Sequence, residues 1–430
     1  MTGKWKKAYA ELVGYIAGNP EIKISRSVTI IPGEAREEFY RLFDDARRAF
    51  IEEQTPAIYE EACRLSKGYL AEVGALKEIL KVAEIKAPPR LDGLLNDPVN
   101  GISRALFDPL FDFLKTGGVS EEFECKAAET VKAYWQPLYK RGYEDWVILS
   151  LANMLSLERI LASSWDEIVR ECHELQPDQK RGWTEQNVPE PEELEKIELG
   201  HEGYDPAFII SDIILRSQKL KRYVSFGADL TDAAWYAKNA SDKREWIKLR
   251  DRGLDSKPLL NWPGFVIYTD SEPVEISLVA DFSRFLRPEI MVECMVQEDW
   301  YQRGYLDKIK TRHEFFKPTL GTFIVSRYPV PDEAFKALET KVASQKAAEA
   351  RAETGLKIAP EVAPGEKSTA GVEPQEKTLN GTEAALQVEA GKSTRSIFII
   401  SAAGYDRESL APIIEVLKPP VEEEDREAKQ

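Results

Sequence analysis

The chain has 430 residues, of which 43% are hydrophobic and 31% are charged. This is the mixture of an ordinary globular protein, and the length leaves room for two hydrophobic cores. The formal net charge of −16 argues against a nucleic-acid-binding or anionic-membrane-binding surface, because such surfaces need clustered Lys and Arg.

Cysteine usage and hydropathy indicate a cytoplasmic protein. The four cysteines, Cys63, Cys125, Cys172 and Cys294, lie far apart and form no CxxC pair, which favours reduced thiols over a disulfide framework or a zinc knuckle. The longest apolar stretch, from Trp146 to Leu157, contains Asn153 and is shorter than the ~20 residues of a membrane span. We therefore predict no membrane partner.

The first half of the chain has mainly helical patterns. A short β signal at Ser27–Pro32 ends an N-terminal segment, residues 1–34, and a mainly helical domain is predicted over residues 35–255. Within it, "DPAFIISDIILRSQKLKRYV" is assigned to a helix, and a helical region is predicted from Ser120 to about Leu175, kinked or broken at Pro137.

The pattern changes near Lys257. "WPGFVIYT" and "VEISLVADF" are typical of strands in a hairpin, a helix is predicted from Pro288 towards Phe316, and "GTFIVSRYPVPDEAFKALE" indicates a strand, a turn and a helix. Residues 341–394 have the low hydrophobicity of a disordered linker. Beyond the linker, "RSIFIISAAGYDRESLAPIIEVL" repeats the strand-then-helix pattern, and an acidic tail follows over residues 419–430.

These patterns predict a mixed α and α/β fold. A small α/β domain, residues 256–340 plus 395–418, follows the helical domain. Its sheet is completed by the C-terminal strand and helix, because the run "IFII" suits a parallel strand and a flexible tether of this length reaches ~40 Å. The sheet completed in this way is that of the same chain or, by exchange, that of a neighbouring copy. The alternative is an independent peptide that docks on another protein.

One candidate ligand site follows from the two strand-helix units. In open α/β sheets, ligands bind at the carboxyl ends of the strands. The residues expected there are Ser326, Arg327, Tyr328, Ser401, Gly404 and Asp406. Hydroxyl groups, an arginine and helix N-termini suit a small anion or phosphate, although Ser, Gly and Asp are also what ordinary turns use.

Motifs for other chemistry are missing from the sequence. There is no GxSxG, no Walker motif, no GxGxxG and no HExxH. Glu198 and His201 form one ExxH, but Gly200 disfavours the helix that this spacing needs as a metal site. We therefore predict no cofactor and no metal, and the catalytic residues, if the protein is an enzyme, stay unknown.

The function predicted from these observations is that of a soluble cytoplasmic binding or assembly protein, with a protein partner or self-association. The alternative is a carboxylate-based enzyme or a ligand-sensing domain that acts on a small anionic or phosphorylated molecule at the strand ends. Enzymes built from Asp, Glu and Lys alone leave no motif, so the missing motifs do not decide between the two.

Overall fold

The fold is described from a computed structural model of the chain. It describes residues 3–81, 84–87, 89–117, 119–161, 196–198, 213–227, 264–271, 288–335 and 397–418. Residues 1–330 and 395–430 form one compact unit, and residues 331–394 form a second. The domain boundaries predicted from the sequence stay a prediction.

The N-terminal region is helical. Its α-helices in chain order are α1 (Lys4–Gly18), α2 (Gly33–Gln54), α3 (Pro56–Leu80), α4 (Pro89–Asn96), α5 (Pro98–Ser103), α6 (Phe107–Thr116) and α7 (Ser120–Met154). The apolar stripe of α2 is buried as predicted, because residues three or four positions apart share one face of a helix. Pro56 begins α3, where the missing N–H has no helical partner to lose.

A seven-stranded mixed sheet occupies the C-terminal half. Two small strand pairs lie outside it: β1 (Lys23–Ile24) with β2 (Thr29–Ile30), and β3 (Glu84–Lys86) with β5 (Lys196–Glu198). The strands of the large sheet are β4 (Leu157–Leu161), β6 (Ile213–Ser217), β7 (Arg222–Gly227), β8 (Phe265–Asp270), β9 (Ile290–Met295), β10 (Gly321–Ser326) and β11 (Ile397–Ile400).

The order of strands in the large sheet is β11-β10-β9-β8-β7-β6-β4. Strands β9, β10 and β11 run parallel, and every other neighbouring pair is antiparallel. Helix α8 (Tyr305–Phe316) connects β9 to β10. All six residues of β9 and of β10 are buried, as expected for strands covered on both faces.

The C-terminal strand completes the sheet of its own chain, and the predicted fold class is confirmed. Phe323 of β10 pairs in register with Phe398 of β11, and their rings stack at 4.9 Å. A short 3₁₀ helix (Arg407–Leu410) and α9 (Ala411–Leu417) follow. Because β11 is the edge strand, three of its four residues are only half-buried. We call residues 397–418 the C-terminal unit.

One predicted helix is wrong. Within "DPAFIISDIILRSQKLKRYV", strands β6 and β7 form a hairpin, while the residues before Ile213 lie outside the described part. Lys221 takes the left-handed conformation, φ 53°, between the two strands. The apolar residues satisfy a helical spacing, but pairing with β8 lets the hairpin bury Leu215, Val224 and Phe226 in the sheet.

Two predicted helix boundaries also need correction. Helix α7 is continuous through Pro137 and ends at Met154, and Ser156 at φ 50° precedes β4. The segment after Pro288 begins with strand β9, and α8 starts only at Tyr305, after Gly304 at φ 73°. In both places a residue in the left-handed region marks the boundary between helix and neighbouring structure.

Several predictions lie outside the described residues. These are the strand "VEISLVADF", the helical region after Leu161, the end of the predicted helical domain over residues 228–255, the linker over residues 341–394 and the acidic tail. The β signal at Ser27–Pro32 is reduced to the two residues of β2. Among the helices of the described ranges, none is long and apolar enough to span a bilayer.

Candidate functional site

Helices α3 and α7 pack side by side and point in the same direction. Glu61 of α3 accepts a hydrogen bond from Tyr139 of α7. Further along both helices, Glu72 of α3 accepts one from Asn153 of α7. A Cβ on Gly142 would approach Leu65 to 2.8 Å, so the backbones are close between these contacts. From Gly142 to Asn153 every residue of α7 is buried, which is why polar side chains on this stretch need internal partners.

The turn after β11 lies on this helix pair. Tyr143 Oη donates a hydrogen bond to the carbonyl oxygen of Ala403. The ring of Tyr405 meets the ring of Trp146 edge-on at 5.3 Å. A Cβ on Gly68 would come within 2.8 Å of the Tyr405 ring, so only glycine lets the ring lie flat against α3. We call the surface formed by Glu61, Gly68, Glu72, Tyr139, Tyr143, Trp146 and Asn153 the helix-pair groove.

The Glu61 carboxylate is the centre of the polar contacts in the groove. Its Oε1 accepts from Tyr139 Oη at 2.6 Å, from Arg327 Nε at 2.9 Å and from Tyr405 Oη at 3.3 Å. Its Oε2 accepts from Arg64 Nη1 at 3.0 Å. Glu61 is only 6% exposed. Donors from α3, from α7, from Arg327 just after β10 and from the C-terminal unit therefore replace the water that burial removes.

The charges in this cluster reinforce each other. Burial opposes the charged form of Arg327, but the hydrogen bond and the negative charge of Glu61 outweigh it and raise the pKa of the guanidinium. Burial raises the pKa of Tyr139, and the neighbouring Tyr405 and Glu61 raise it further. The pKa of Tyr405 is also raised, first by burial and then by Glu61. Both phenols are therefore neutral hydrogen-bond donors at neutral pH.

A second acid–arginine pair holds the C-terminal unit about three turns further along α3. Arg407 Nη2 lies 3.1 Å from Glu72 Oε2, and Arg407 Nε donates to Glu72 Oε1 at 3.1 Å. Asn153 Nδ2 donates to the same carboxylate at 2.6 Å. Glu72 is 5% exposed. The bidentate geometry makes Arg407 more specific than a lysine would be.

The structure places the predicted residues of β10 next to the groove. Ser326 is fully buried, accepts from Trp300 Nε1 at 3.0 Å and donates to the Tyr328 carbonyl oxygen at 2.8 Å. The guanidinium carbon of Arg327 lies 4.8 Å from the centre of the Tyr405 ring and 5.8 Å from the centre of the Tyr328 ring. Ser326 therefore shapes the turn, while Arg327 faces the C-terminal unit.

The predicted residues of the C-terminal unit lie around the same turn. Ser401 Oγ accepts from the Val330 N–H at 2.8 Å, and a Cβ on Gly404 would lie 3.8 Å from Arg327 Nη1. Asp406 is exposed, and its Oδ1 accepts from the Glu408 N–H at 3.2 Å as a cap of the 3₁₀ helix. Ser401 therefore makes a turn contact and Asp406 a capping contact. The anion site at these residues stays a prediction.

The groove residues on the two long helices were not predicted from the sequence. The sequence feature that could have indicated them is that acidic and apolar residues lie on one face of α3, namely Glu61, Leu65, Gly68 and Glu72. Acidic residues on a buried stripe need distant cations as partners. Those partners, Arg327 and Arg407, lie more than 260 residues away in sequence, so spacing alone could not identify them.

A second set of buried acids lies outside the groove. Asp145, 1% exposed, forms an ion pair with Arg141 at 3.0 Å through Oδ1, while its Oδ2 has no hydrogen-bond partner among the described residues. Glu293 accepts two hydrogen bonds from Arg312 Nη1, at 2.6 and 2.7 Å. Burial raises the pKa of both carboxyl groups, that of Asp145 to about 6.

No metal cluster emerges within the described ranges. They contain no group of three His, Cys, Asp or Glu residues that could hold an ion. Glu198 ends strand β5, so the helical spacing that an ExxH site needs is missing there, and His201 lies outside the described part. His313 Nδ1 lies 2.7 Å from Thr322 Oγ1, a contact within the α/β region.

Comparison of the chain with protein-family models, with curated proteins and with solved structures finds no match.

Proposed function

We propose that this protein is a non-catalytic binding or assembly protein of the cytoplasm, in which the helix-pair groove is a peptide-binding site. The carrying observation is that its own C-terminal unit occupies this groove in the manner of a bound peptide. The unit adds a strand to β10, inserts Tyr405 against Gly68 and places Arg407 on the Glu72 carboxylate.

The contacts have the composition of a protein–protein interface. Strand addition supplies main-chain hydrogen bonds, while alternate side chains supply specificity. Aromatic and arginine side chains dominate the binding energy of such interfaces. Here Tyr405 and Arg407 are the anchors, and each is recognised by a buried carboxylate, Glu61 or Glu72.

The connection between groove and ligand also supports a binding role. Residues 341–394 have the composition of a flexible tether, and such a tether gives an attached ligand an effective concentration of about a millimolar or somewhat less. The attached unit therefore outcompetes a free partner at micromolar concentration. A partner with the same chemistry enters only when its affinity or local concentration is higher.

Cutting the tether tests whether the groove is a binding site. A protease site placed within residues 341–394 of the full chain allows cleavage after folding. We expect the released C-terminal unit to stay bound and to exchange with an excess of labelled peptide covering residues 395–418. Fluorescence anisotropy follows the uptake of the labelled peptide.

Matched peptides define the specificity of the exchange. A peptide with Arg407→Glu should bind at least about tenfold more weakly, because it places a carboxylate against Glu72. A peptide with Lys418→Glu should bind about as the parent does, since Lys418 is exposed and pairs with Glu415 of the same unit. If the cleaved unit exchanges only when the rest of the chain unfolds, the unit is a part of the core and the proposal is wrong.

A ligand-sensing or carboxylate-based enzymatic role is the second candidate. It is favoured by the strand-end position of Arg327, whose Nη1 is not used by Glu61, and by the raised pKa of buried Asp145. A thermal-shift screen with phosphate esters is the test. Stabilisation that is lost on Arg327→Gln would support this role, and no stabilisation by any ester would exclude it.

A further inference from the structure

The turn that follows β11 is held in a fixed register by its main chain. The Ala403 N–H donates to the Ser326 carbonyl oxygen at 2.8 Å, and the Ala403 carbonyl oxygen accepts from Tyr143 Oη at 2.5 Å. The Ala402 N–H donates to the Tyr328 carbonyl oxygen at 3.2 Å. A segment of different sequence can make the same main-chain bonds. Because Ala403 is fully buried, its position admits only a small side chain.

Two side chains of the turn provide the specific contacts. Tyr405 donates to Glu61 and Arg407 donates to Glu72, while Asp406 between them is exposed. Asp406 has an extended backbone, φ −118° and ψ 110°, which places the side chains before and after it on the same face. The groove therefore contacts the tyrosine and the arginine, and the residue between them faces solvent.

The distance between the two carboxylates sets the spacing of these two anchors. Glu61 and Glu72 lie eleven positions apart on α3, which is about 16 Å along the helix axis. Two residues of extended chain cover about 7 Å, and the two long side chains span the rest. One additional residue between the anchors would place them on opposite faces of the extended segment. Only the spacing Tyr-x-Arg therefore reaches both acids.

The residue at the start of the turn does not suit its own conformation. Ala402 has φ 55°, in the left-handed region, and is exposed. This region favours glycine over alanine, because a Cβ comes too close to the following carbonyl oxygen. Since Ala402 is exposed, its methyl group gains little from burial to offset this cost. The attached unit is therefore a weaker ligand than the same segment with glycine at this position.

We infer that the groove recognises partner segments of the pattern Gly-small-x-Tyr-x-Arg, and that the attached C-terminal unit is a displaceable ligand of the same class with Ala402 in place of the glycine. The inference rests on the proposed function, because it names the partner of that site. Glycine at the first position tightens a free segment about fivefold, and it lowers the concentration that displaces the attached unit by the same factor.

A series of substitutions at Ala402 tests the first position. Variants of the peptide covering residues 395–418 compete with the labelled parent peptide on the cleaved full chain, and fluorescence anisotropy gives their relative affinities. We expect Ala402→Gly to bind about fivefold tighter, and Ala402→Val at least about fivefold more weakly, because a β-branched residue is an outlier at positive φ. An apolar contact of this side chain would give the opposite order. That order, or equal binding of all three peptides, would overturn the inference.

Two insertions test the spacing of the anchors. A peptide with one alanine inserted between Asp406 and Arg407 breaks the spacing. The matched control has the alanine inserted between Arg407 and Glu408, so it displaces the following helix equally and keeps Tyr-x-Arg intact. We expect the first peptide to bind at least about fivefold more weakly than the control, since it loses the bidentate contact with Glu72. Equal binding by the two peptides would contradict the pattern.

The same assay separates this inference from the proposed function. If the parent peptide exchanges but the variants do not follow the expected order, the groove binds peptides without this pattern, and only the inference is overturned. If the parent peptide does not exchange, the proposed function is wrong, and the inference that rests on it is overturned as well.

Discussion

Two buried carboxylates on the helix pair α3 and α7 differ in how many donors reach them. Glu61 receives hydrogen bonds from Arg64, Tyr139, Arg327 and Tyr405, which come from four elements of the fold. Asp145 has an ion pair with Arg141 of its own helix, and within the described part of the chain its second oxygen has no hydrogen-bond partner.

The difference shows what a buried charge needs. Donors that converge from separate elements compensate for lost hydration, and they also tie those elements together. At Asp145, burial outweighs the single arginine and raises the pKa of the carboxyl group to about 6. Glu61 is therefore expected to stabilise the assembly of helices and sheet, whereas ionised Asp145 is expected to destabilise the fold.

The largest effect is expected from Glu61→Ala. The change leaves Arg327 and Tyr139 buried without their common acceptor, and breaking a buried pair costs about 3–5 kcal/mol. Urea unfolding at pH 7 measures this loss. Glu60→Ala is the control, because Glu60 is exposed and its ion pair with Arg64 is a surface pair, so its effect should stay within about 0.5 kcal/mol. A loss below about 1 kcal/mol for Glu61→Ala would remove the contrast between the two carboxylates.

Asp145→Asn tests the prediction that ionised Asp145 destabilises the fold, through the pH dependence of the free energy of unfolding. The folded-state pKa of about 6 lies above the unfolded value of 3.8, so the protonated form favours folding below about pH 4 and this stability is lost as pH rises through 6. The loss is about 3 kcal/mol, from 1.36 kcal/mol for each pKa unit.

Replacing Asp145 by asparagine should remove this pH dependence. The variant should gain stability relative to the parent between pH 4 and pH 8, by up to about 3 kcal/mol, as measured by urea unfolding at several pH values. Asp112→Asn is the control, because Asp112 is exposed and pairs only with Lys115. An unchanged difference between variant and parent at pH 4 and pH 8 would contradict the raised pKa.

Gly68→Ala sharpens the role of the C-terminal unit in the Glu61 cluster. An added Cβ would lie 2.8 Å from the Tyr405 ring, so the ring must move away from α3, at a cost of about 1–3 kcal/mol. Gly74→Ala on the same helix meets nothing within 4 Å and should stabilise the chain by up to about 1 kcal/mol. Thermal unfolding of both variants gives the comparison, and equal shifts would mean that Tyr405 does not lie on α3.

Tyr405→Phe should have the smallest effect. It removes one hydrogen bond of 3.3 Å to Glu61 and leaves the contacts of the ring with Trp146 and Arg327. We expect a loss of about 0.5–1 kcal/mol in urea unfolding, since Glu61 retains three other donors. A loss as large as that of Glu61→Ala would mean that the Tyr405 hydroxyl, and not the arginine, carries the cluster.

Local patterns were sufficient for much of the fold. Helical patterns predicted a mainly helical first half, where α2 buries Phe39, Phe43 and Phe50. The runs "FIVS" and "FIIS" identified two strands that pair in parallel. These signals are local, because burial of one helix face or of both faces of a strand leaves a period in the sequence. The hairpin of β6 and β7 was assigned to a helix, since short apolar runs fit both periods.

The groove could be predicted only in part. Arg327 was identified as a strand-end residue, but its partner Glu61 lies on a helix that the sequence places in a different domain. Tyr405 and Arg407 lie in a turn and a short 3₁₀ helix, where polar residues are expected for local reasons.

The sequence by itself determined that the N-terminal region is helical and that the last strand belongs to the sheet, because an uncharged apolar run gains free energy only when it is buried. Only the tertiary structure decided which charges meet. Ion pairs between residues more than 260 positions apart depend on distances across the folded chain, and such distances leave no period in the sequence.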